Sequence, residues 1–320
     1  MPRRYPVIFN PKARSQKSGK VRRFLEEHEK RFSMHATQCA GDARDIAARL
    51  ARDGESVVIA AGGDGTLNEV VQGLAGTQSI LGVLPAGTMN VFAREMGIPY
   101  TSLDKALEVI DAGLIREVDL FELNGSPFIQ MAGVGFDAKV IEETSWESKK
   151  KLGPLAYLLA AVKVLGEKPP EMEVVTSDGR RETGVAVLAG NGSLYGGQFK
   201  VFRKADNQDS MIDVLVYKEA GYKLVLDSLR GLTFGNFDLM ASTAYFQAES
   251  FTVTANREVP MEVDGELAGR STQFEFKETP NRLRVLAPDG PLGGSFAETL
   301  KSFFQWPKRE PEAQPSSSKS

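Results

Sequence analysis

A glycine-rich stretch, Gly62-Gly63-Asp64-Gly65, follows an apolar run and precedes a helix-like sequence in this chain of 320 residues. Glycine allows backbone angles and close approaches that a side chain forbids. An ionised aspartate at such a turn is costly to bury unless it meets a hydrogen-bond donor, a metal ion or a substrate. The stretch therefore predicts a loop that closes on an anionic ligand, with Asp64 as its charged group.

Two further loops, Asn10-Pro11-Lys12 and the one from Pro85 to Asn90, also follow apolar runs and precede helical sequence. Ligands of parallel-sheet proteins gather beyond the carboxyl ends of the strands, where the amides of helix N-termini suit phosphate oxygens. A single glycine-rich turn is most often only a tight turn, but three such loops at one sheet edge predict a phosphate site. Two hydroxyl side chains in these loops are Thr66 and Thr88.

Two common nucleotide motifs are missing from the sequence. Ser18-Gly19-Lys20-Val21 lacks the upstream glycine and the following Ser or Thr of a P-loop. No G-x-G-x-x-G pattern follows the first apolar run either. Both a Walker-type site and a dinucleotide fold of the Rossmann type are therefore disfavoured.

The elements that must position these loops alternate between strand and helix. The predicted strands are Tyr5 to Phe9, Phe32 to Gln38, Ser56 to Ala61 and Ile80 to Leu84. The predicted helices are Lys17 to Arg31, Asp42 to Arg52 with Asp42 as N-cap, Leu67 to Leu74 and Asn90 to Met96. This alternation predicts a parallel sheet covered on both faces.

After about Ile115 the pattern changes to short strands divided by turns such as Asn124-Gly125 and Asp264-Gly265, with a helix over Leu155 to Leu165. The predicted strands are Val118 to Leu123, Phe128 to Ala132, Met172 to Thr176, Gly184 to Ala189, Ile212 to Tyr217, Tyr245 to Val253, Val259 to Val263, Phe274 to Lys277 and Leu283 to Leu286. This pattern is typical of an antiparallel second domain.

The predicted fold class is therefore α/β, with an N-terminal parallel-sheet nucleotide-binding domain and a C-terminal, mainly antiparallel β-sandwich domain. We expect the first domain over residues 1–115 and the second over 116–295. A return of the chain to the first domain near residues 290–306 is left open. Residues 307–320 are rich in Pro, Ser and charge, which predicts a disordered tail.

Composition narrows the function classes. Hydrophobic residues make up 42% and charged residues 25% of the chain, and the net charge of -3 gives no reason to expect a nucleic-acid partner. One cysteine and two histidines make cysteine-based and histidine-based metal sites improbable. The sequence has no signal-like apolar segment and no run of about 18 apolar residues, so we expect a cytoplasmic protein. A basic excess in the first 31 residues suits either a solvated helix face or a surface attracted to phosphate or anionic lipid.

Several motifs carry a family resemblance. "NPKARSQKSGK", "GGDGTLNEVVQGL" and "LPAGTMNVFAREMGIP", followed by "GFDA", "NGSLYGGQFKVFRKADNQDSMIDVLV" and "MEVDGE", resemble the diacylglycerol kinase catalytic-domain family of bacterial soluble lipid kinases, which are related to sphingosine and ceramide kinases. The resemblance covers roughly residues 5 to 290. The Gly62–Asn68 motif alone is shared with NAD kinases, whereas its combination with the other motifs is more specific.

The sequence departs from the family pattern at three places. Extra residues separate Asn10-Pro11 from Ser18-Gly19, whereas the family's first loop commonly reads Asn-Pro-x-Ser-Gly. Val91 stands where many members have Asp. The family's Asp-Asp-Gly is here Gln208-Asp209-Ser210, which keeps one acid and loses the glycine.

The resemblance implies an ATP-dependent lipid kinase that transfers the γ-phosphate of ATP to the hydroxyl of diacylglycerol or a sphingoid-type lipid, with Mg²⁺ as cofactor. It implies an ATP site formed by Asn10, Pro11, Lys12, Thr37, Gly62, Gly63, Asp64, Gly65, Thr66, Leu67, Asn68 and Thr88. Asp64 would bind a phosphate-bound Mg²⁺ or the acceptor hydroxyl. An aspartate that only caps the loop is the alternative.

The resemblance also implies a second-domain Mg²⁺ site, with the side chain of Asp209 and the carbonyls of Asp206 and Met211 as ligands. Hard oxygen ligands around a turn suit Mg²⁺ or Ca²⁺. The alternative is a solvated acidic turn. By the same resemblance the proton acceptor lies in Asp264-Gly265-Glu266, with Glu266 as the base and Asp264 beside it, whereas composition alone favours a solvated hairpin.

The acceptor lipid is expected between the domains, and its candidate lining residues, which could equally be core, are Phe136, Leu194, Phe199 and Phe202. The segment from Phe296 to Trp306 suits either an interfacial helix or a helix packed on its own protein. Peripheral membrane contact and a homodimer are therefore left open. The alternative functions are an NAD kinase-like phosphotransferase and a non-catalytic lipid-binding regulatory protein.

Overall fold

The computed structural model describes residues 4–12, 18–135, 138–139, 168–195, 199–219 and 242–289. Within these ranges the chain forms two large sheets and a small two-stranded one. Of the helices in the described ranges, none has both the length and the apolar character needed to cross a bilayer. The predicted helix over Leu155 to Leu165, the segment from Phe296 to Trp306 and the tail at 307–320 lie outside the described residues.

The first sheet has six strands in the order β2-β1-β3-β4-β18-β5. Their bounds are β1 Tyr5–Phe9, β2 Phe32–Ala36, β3 Val57–Gly62, β4 Ile80–Pro85, β5 Ile115–Val118 and β18 Leu283–Leu286. Neighbouring strands from β2 to β18 are parallel, and β5 closes the edge antiparallel to β18. β3 and β4 are buried along most of their length, as apolar runs in a covered parallel sheet should be.

Five α-helices accompany this sheet in the described ranges: α1 Ser18–Glu27, α2 Asp42–Arg52, α3 Asp64–Leu74, α4 Val91–Glu95 and α5 Leu103–Ala112. The structure begins α3 at Asp64 instead of Leu67, so the aspartate lies in its first turn. The prediction of Asp42 as N-cap of α2 is wrong, because Gly41 occupies that position. The free amides of Gly41 and Ala43 donate instead to the carboxylate of Glu69 at 2.9 and 3.0 Å.

The second sheet is antiparallel throughout and contains ten strands. Their bounds are β6 Phe121–Leu123, β7 Ser126–Phe128, β8 Met131–Val134, β9 Met172–Thr176, β10 Arg181–Gly184, β11 Ala186–Gly190, β14 Ile212–Tyr217, β15 Thr243–Ala248, β16 Phe251–Val263 and β17 Glu266–Glu278. β12 Leu194–Tyr195 and β13 Phe199–Lys200 form a separate hairpin. The predicted fold class is confirmed.

β16 joins two parts of the second sheet. Its first half pairs with β9, its second half pairs with β8, and its register with β17 shifts between Thr254 and Val259. Aromatic rings fill the core beside it, where Phe251 and Phe276 stack with ring centroids 4.2 Å apart. The second half of β16 runs towards the first domain and ends at the predicted Asp-Gly-Glu turn.

The chain crosses between the two sheets twice. Leu283–Leu286, predicted as a strand of the second domain, lies in the first sheet, where Arg284 pairs with Ile80 of β4. The predicted strand from Val118 to Leu123 is likewise divided, with β5 in the first sheet and β6 in the second. Both errors have one cause: a short apolar run indicates a strand but not the sheet that it joins.

Candidate functional site

The predicted nucleotide-site residues lie at one edge of the first sheet. They are Asn10, Pro11 and Lys12 after β1, Thr37 after β2, Gly62 at the end of β3 with Gly63 to Asn68 after it, and Thr88 after β4. Because these strands are parallel neighbours, their carboxyl ends lie side by side. The Asn10 side chain accepts a hydrogen bond from the backbone amide of Lys12 at 2.9 Å, which closes the first loop.

The second and third loops meet backbone to backbone. A Cβ on Gly87 would lie 2.5 Å from Cα of Gly63, and a Cβ on Gly62 would lie 2.9 Å from Oγ1 of Thr66. Close approach of backbone to backbone, and not a left-handed conformation, therefore favours glycine at Gly63 and Gly87, while Gly62 packs against the Thr66 side chain. A small cavity opens here, lined by Ala60, Gly62, Gly63, Asp64, Leu67, Val83, Pro85, Asn90 and Ala93.

Helix α3 begins at this contact, with Gly63 as N-cap and the Leu67 amide donating to the Gly63 carbonyl at 3.1 Å. The Leu67 side chain is buried in the apolar core of the first domain. Asn68, also buried, reaches across to the second domain, where its Nδ2 donates to the Asp264 carbonyl at 3.0 Å. The first turn of the helix therefore presents the amides of Gly65 and Thr66, which have no acceptor within the helix, and Asn68 links the helix to the facing domain.

Asp64 holds the third loop in place. Its two carboxylate oxygens accept hydrogen bonds from the backbone amides of Asn90 and Val91, at 2.9 and 2.7 Å, at the start of α4. Burial raises the pKa of Asp64, and these amides oppose the rise. These two hydrogen bonds support the alternative that Asp64 caps the loop. Each carboxylate oxygen still has a lone pair with which it can bind a further ligand.

Asn90 and Arg94 complete the loop, and neither was among the predicted site residues, although Asn90 was the last residue of the predicted loop. Asn90 adopts a left-handed backbone with φ of 49°, and its side chain bonds both the amide and the carbonyl of Gly87. Nε of Arg94 donates to the Met89 carbonyl at 2.6 Å, and its guanidinium lies 3.8 Å from the ring centre of Tyr100. An Asn five residues after a strand-ending proline is a usable signal for such a turn, whereas nothing local marks Arg94.

The facing turn of the second domain is built around Asp264. Asp264 and Gly265 both have positive φ, 48° and 85°, as in a two-residue hairpin turn between β16 and β17. The Asp264 carboxylate accepts backbone amides of Ile129, Gln130 and Met131 at 2.9 to 3.0 Å. Burial raises the pKa of Asp264 to about 6, against the effect of these amides. Asp264 therefore organises the backbone of its own domain.

Glu266 lies against the first domain. A Cβ on Gly65 would lie 2.8 Å from Oε1 of Glu266, so this carboxylate lies over the first turn of α3. The Glu266 side chain is exposed, in contrast to that of Asp264. The structure thus brings the glycine loop, Asp64 and the Asp-Gly-Glu turn together, with the Asn68–Asp264 bond joining the two domains.

The predicted second-domain metal turn is tightly wound. Oδ1 of Asp209 accepts the Met211 amide at 2.9 Å, and the Asp209 amide donates to the Asp206 carbonyl at 3.3 Å. Burial raises the pKa of Asp209, and the charge of Asp206 adds to the rise. The described part of the chain contains no group of three His, Cys, Asp or Glu side chains that could hold a metal ion. One carboxylate with two carbonyls is a different donor set, and its hard oxygens suit Mg²⁺.

Two of the four candidate lipid-lining residues are buried in the second domain. The Phe202 ring lies so close to Gly190 that a Cβ there would be 2.2 Å from it, and Leu194 is also buried. This places Phe202 in ordinary core. Phe136 and the side chain of Phe199 lie outside the described residues.

Comparison with known proteins gives matches over both domains. The diacylglycerol kinase catalytic domain profile matches residues 4–123, and the profile of the YegS C-terminal NAD kinase beta sandwich-like domain matches residues 130–287. A protein named diacylglycerol kinase from Bacillus subtilis (strain 168) is 32% identical over 298 residues, which cover 89% of this chain and 97% of that protein. One of the same name from Staphylococcus carnosus (strain TM300) is 30% identical over 301 residues, covering 90% and 96%.

Solved structures agree on the fold. A diacylglycerol kinase from Bacillus anthracis str. Sterne superposes with a TM-score of 0.71 at 22% identity, covering 89% of this chain and 97% of that one. An NAD kinase from Archaeoglobus fulgidus in complex with ATP gives a TM-score of 0.50 at 8% identity, covering 88% and 93%. The two profiles match both domains, and the similarity covers nearly the whole length of these relatives. The chain therefore belongs to the diacylglycerol kinase catalytic-domain family.

Proposed function

We propose that the chain is an ATP-dependent lipid kinase that transfers the γ-phosphate of ATP to a lipid hydroxyl. The observation that carries the proposal is the contact between Glu266 and Gly65, which sets a carboxylate of one domain over a helix N-terminus of the other. A phosphate held at that N-terminus would lie beside a group able to accept a proton. Family membership supports a lipid as the acceptor.

The nucleotide would bind at the loop edge of the first sheet. We propose that the amides of the first turn of α3 hold its phosphates, together with the side chains of Asn10, Lys12, Thr66 and Thr88. Thr37 and the Pro11 turn would border the same site. In this arrangement Leu67 and Asn68 contribute through the helix: Leu67 anchors it in the core and Asn68 fastens it to the second domain.

Transfer then needs one proton acceptor and an aligned hydroxyl. In the proposed step Glu266 accepts the proton of the lipid hydroxyl while that oxygen attacks the γ-phosphorus, and the bond to the β–γ bridging oxygen breaks to release ADP. Asp264 holds the turn that carries Glu266, since its carboxylate is occupied by three backbone amides.

Mg²⁺ is the proposed cofactor, and its chemistry when bound is to neutralise charge on the phosphates. Asp64 would contact the phosphate-bound ion through the lone pairs that its two amide bonds leave free. Asp209, with the carbonyls of Asp206 and Met211, would hold a second ion. The electrostatic setting favours a cation there, because the Asp209 carboxylate lies near the negative charge of Asp206.

The acceptor is proposed to be diacylglycerol or a sphingoid-type lipid, entering between a nucleotide-binding domain at residues 1–115, to whose sheet β18 returns, and a lipid-binding domain that begins at residue 116. Such a lipid resides in a membrane, so we propose that the protein meets it at the membrane surface. The names of the similar proteins favour diacylglycerol as the first acceptor to test.

The test incubates purified protein with γ-labelled ATP and Mg²⁺, offering mixed vesicles of diacylglycerol, sphingosine and ceramide in one arm and NAD in another. We expect label in a phosphorylated lipid and none in NADP. Label in NADP alone would replace the lipid kinase by an NAD kinase. Tight vesicle binding without any turnover would favour a non-catalytic lipid-binding protein.

A further inference from the structure

Glu95, the last residue of α4, is a buried acid, and within the described ranges its side-chain hydrogen bonds all go to the second domain. The side chain is 2% exposed. Oε2 accepts from Nε2 of Gln130 at 2.9 Å and from the amide of Leu194 at 3.0 Å, while Oε1 accepts from Oγ of Ser193 at 2.9 Å. Between residues that the structure describes, none of the ion pairs includes Glu95.

Burying a carboxylate is unfavourable unless hydrogen bonds replace its water. Three hydrogen-bond donors replace the water around Glu95, and they come from two separate segments of the second domain, at Gln130 and at Ser193–Leu194. Helix α4 is therefore held at both ends. Asp64 binds the amides at its start, and Glu95 binds the second domain at its end.

Gln130 connects Glu95 to the turn that carries the proposed base. Its side chain donates to Glu95, and its backbone amide donates to the Asp264 carboxylate at 2.9 Å. The Gln130 side-chain amide packs against the backbone of Gly192 and occupies the space that a side chain there would need, because a Cβ on Gly192 would lie 2.1 Å from Nε2. Asp264 stands two residues before Glu266, so one residue couples the buried acid to the base.

We infer that Glu95 is a positioning residue that sets Glu266 against the glycine loop by fastening Gln130 and the Ser193–Leu194 segment to α4. The inference rests on the proposed function, because Glu266 acts as a base only if the protein transfers a phosphoryl group. This role requires the shape of the Glu95 side chain and its hydrogen bonds, but not its negative charge.

Two variants separate these requirements. In Glu95→Gln the amide oxygen can accept from Gln130 and Leu194, and the amide NH₂ can donate to Ser193, whose hydroxyl both donates and accepts. Glu95→Ala loses all three bonds. We expect Glu95→Ala to lower kcat about 10²-fold with little change in the KM for ATP, because small misplacements of reacting groups cost about that factor. Glu95→Gln should retain kcat within several-fold.

A double substitution tests the route through the base. Glu95→Ala should lower kcat in the wild type but cause little further loss in a Glu266→Gln background. Losses that multiply in the double variant would overturn the inference, as would full activity of Glu95→Ala. A Glu95→Gln variant as impaired as Glu95→Ala would show that charge is needed and would also overturn it.

Hydrogen exchange provides a readout that does not depend on turnover. Glu95→Ala should speed exchange at the amides of Gln130, Met131 and Leu194 and leave the β3 amides unchanged, while Glu95→Gln should match the wild type. If Glu95→Ala does not fold, Ser193→Ala removes a single bond and should show a smaller loss in the same direction. An inactive wild type would defeat the proposed function; an active wild type with unaltered exchange in Glu95→Ala would defeat this inference alone.

Discussion

Asp264 and Glu266 stand two residues apart at the β16–β17 turn, yet their carboxylates have different surroundings. Three backbone amides of the second domain occupy Asp264. The Glu266 side chain extends from the turn to the first turn of α3. Because the Asp264 carboxylate is directed at the backbone of its own domain and the Glu266 carboxylate at the N-terminus of α3, the geometry favours Glu266 as the base of the proposed reaction.

Replacing the proposed base should affect chemistry and leave nucleotide binding nearly unchanged. We expect Glu266→Gln to lower kcat by about 10²–10⁴-fold, the usual contribution of a general base, because the amide cannot accept the proton. The KM for ATP should change little. Steady-state kinetics with diacylglycerol vesicles measure both constants.

Glu258→Gln is the matched control, an exposed glutamate on the neighbouring strand, and should keep full activity. If Glu266→Gln is as active as this control, the base lies elsewhere.

Asp264 should make stability depend on pH. Its pKa is about 6 in the fold against 3.8 ordinarily, so between these values the unfolded chain has released a proton that the folded chain retains. Its stabilising contribution is therefore present below about pH 4 and is lost as pH rises through about 6. Asp264→Asn does not titrate.

The unfolding free energy of wild type relative to Asp264→Asn should therefore fall by up to about 3 kcal/mol from pH 4 to pH 7, since one pKa unit corresponds to about 1.4 kcal/mol. Urea unfolding of both proteins at several pH values measures this difference. Parallel pH dependences would contradict the assignment.

At the scale of the elements, the site depends on two loops that pack without side chains between them. β3 and β4 are adjacent parallel strands, so the loops that follow them start side by side. The contact of Gly63 with Gly87 then allows Asp64 to reach the amides of α4. Through this contact one strand pair positions two helix N-termini at the proposed phosphate site.

A methyl group at the loop contact should disturb both loops. Gly87→Ala places Cβ 2.5 Å from the backbone of Gly63, so the backbone must shift. We expect the unfolding free energy to fall by about 1–3 kcal/mol, as for other overpacked sites, and the KM for ATP to rise. Thermal unfolding and ATP titration measure the two effects.

Gly19→Ala in α1 is the control, because nothing lies within 4 Å of that position. It should be neutral or slightly stabilising. Equal behaviour of the two variants would show that the loop contact is not tight.

At the scale of the whole molecule, the two chain crossings are pinned at a buried ion pair. Asp119 follows β5, has no exposed surface and meets Nε of Arg282 at 2.8 Å just before β18. Oδ2 of Asp119 also accepts the Ser210 amide at 2.7 Å, so the pair holds the acidic turn at residues 206–211 as well. Burial raises the pKa of Asp119, and Arg282 opposes this rise.

Removing the cation should leave a buried carboxylate without its partner. We expect Arg282→Met to lower the unfolding free energy by about 3 kcal/mol, since breaking a buried pair from one side costs roughly 3–5 kcal/mol and Arg282 is partly exposed. Denaturant unfolding at pH 7 measures the loss.

Arg284→Met is the control, because among the described residues the Arg284 side chain makes one hydrogen bond, to the Gln78 carbonyl at 3.3 Å, and no ion pair. It should be nearly neutral. Similar losses in both variants would mean that the apolar packing of β18, and not the ion pair, holds the crossing.

Local patterns in the sequence were enough for β1, β3 and β4 and for the loops that follow them. Apolar runs ended by glycine or proline predicted β1, β3 and β4 within a few residues, and the loops after them fall at one edge because parallel neighbours align. Asp264-Gly265 predicted a hairpin turn, which the positive φ values confirm. These features depend on residues that are close together in the chain. Their conformational preferences are local and do not require contacts with distant parts of the fold.

Contacts between distant residues were decided only by the tertiary structure. The sheet that Leu283–Leu286 joins, the capping of α4 by Asp64 and the burial of Glu95 all depend on partners that no local pattern specifies. Asn68 meets Asp264 across 196 positions, and Glu95 meets Leu194 across 99. The sequence by itself determined which loops and acids the protein has, because turns and strands form from short-range preferences. The folded structure decided which acid faces the cleft and which is buried, because burial and hydrogen bonding arise only when both domains are in place.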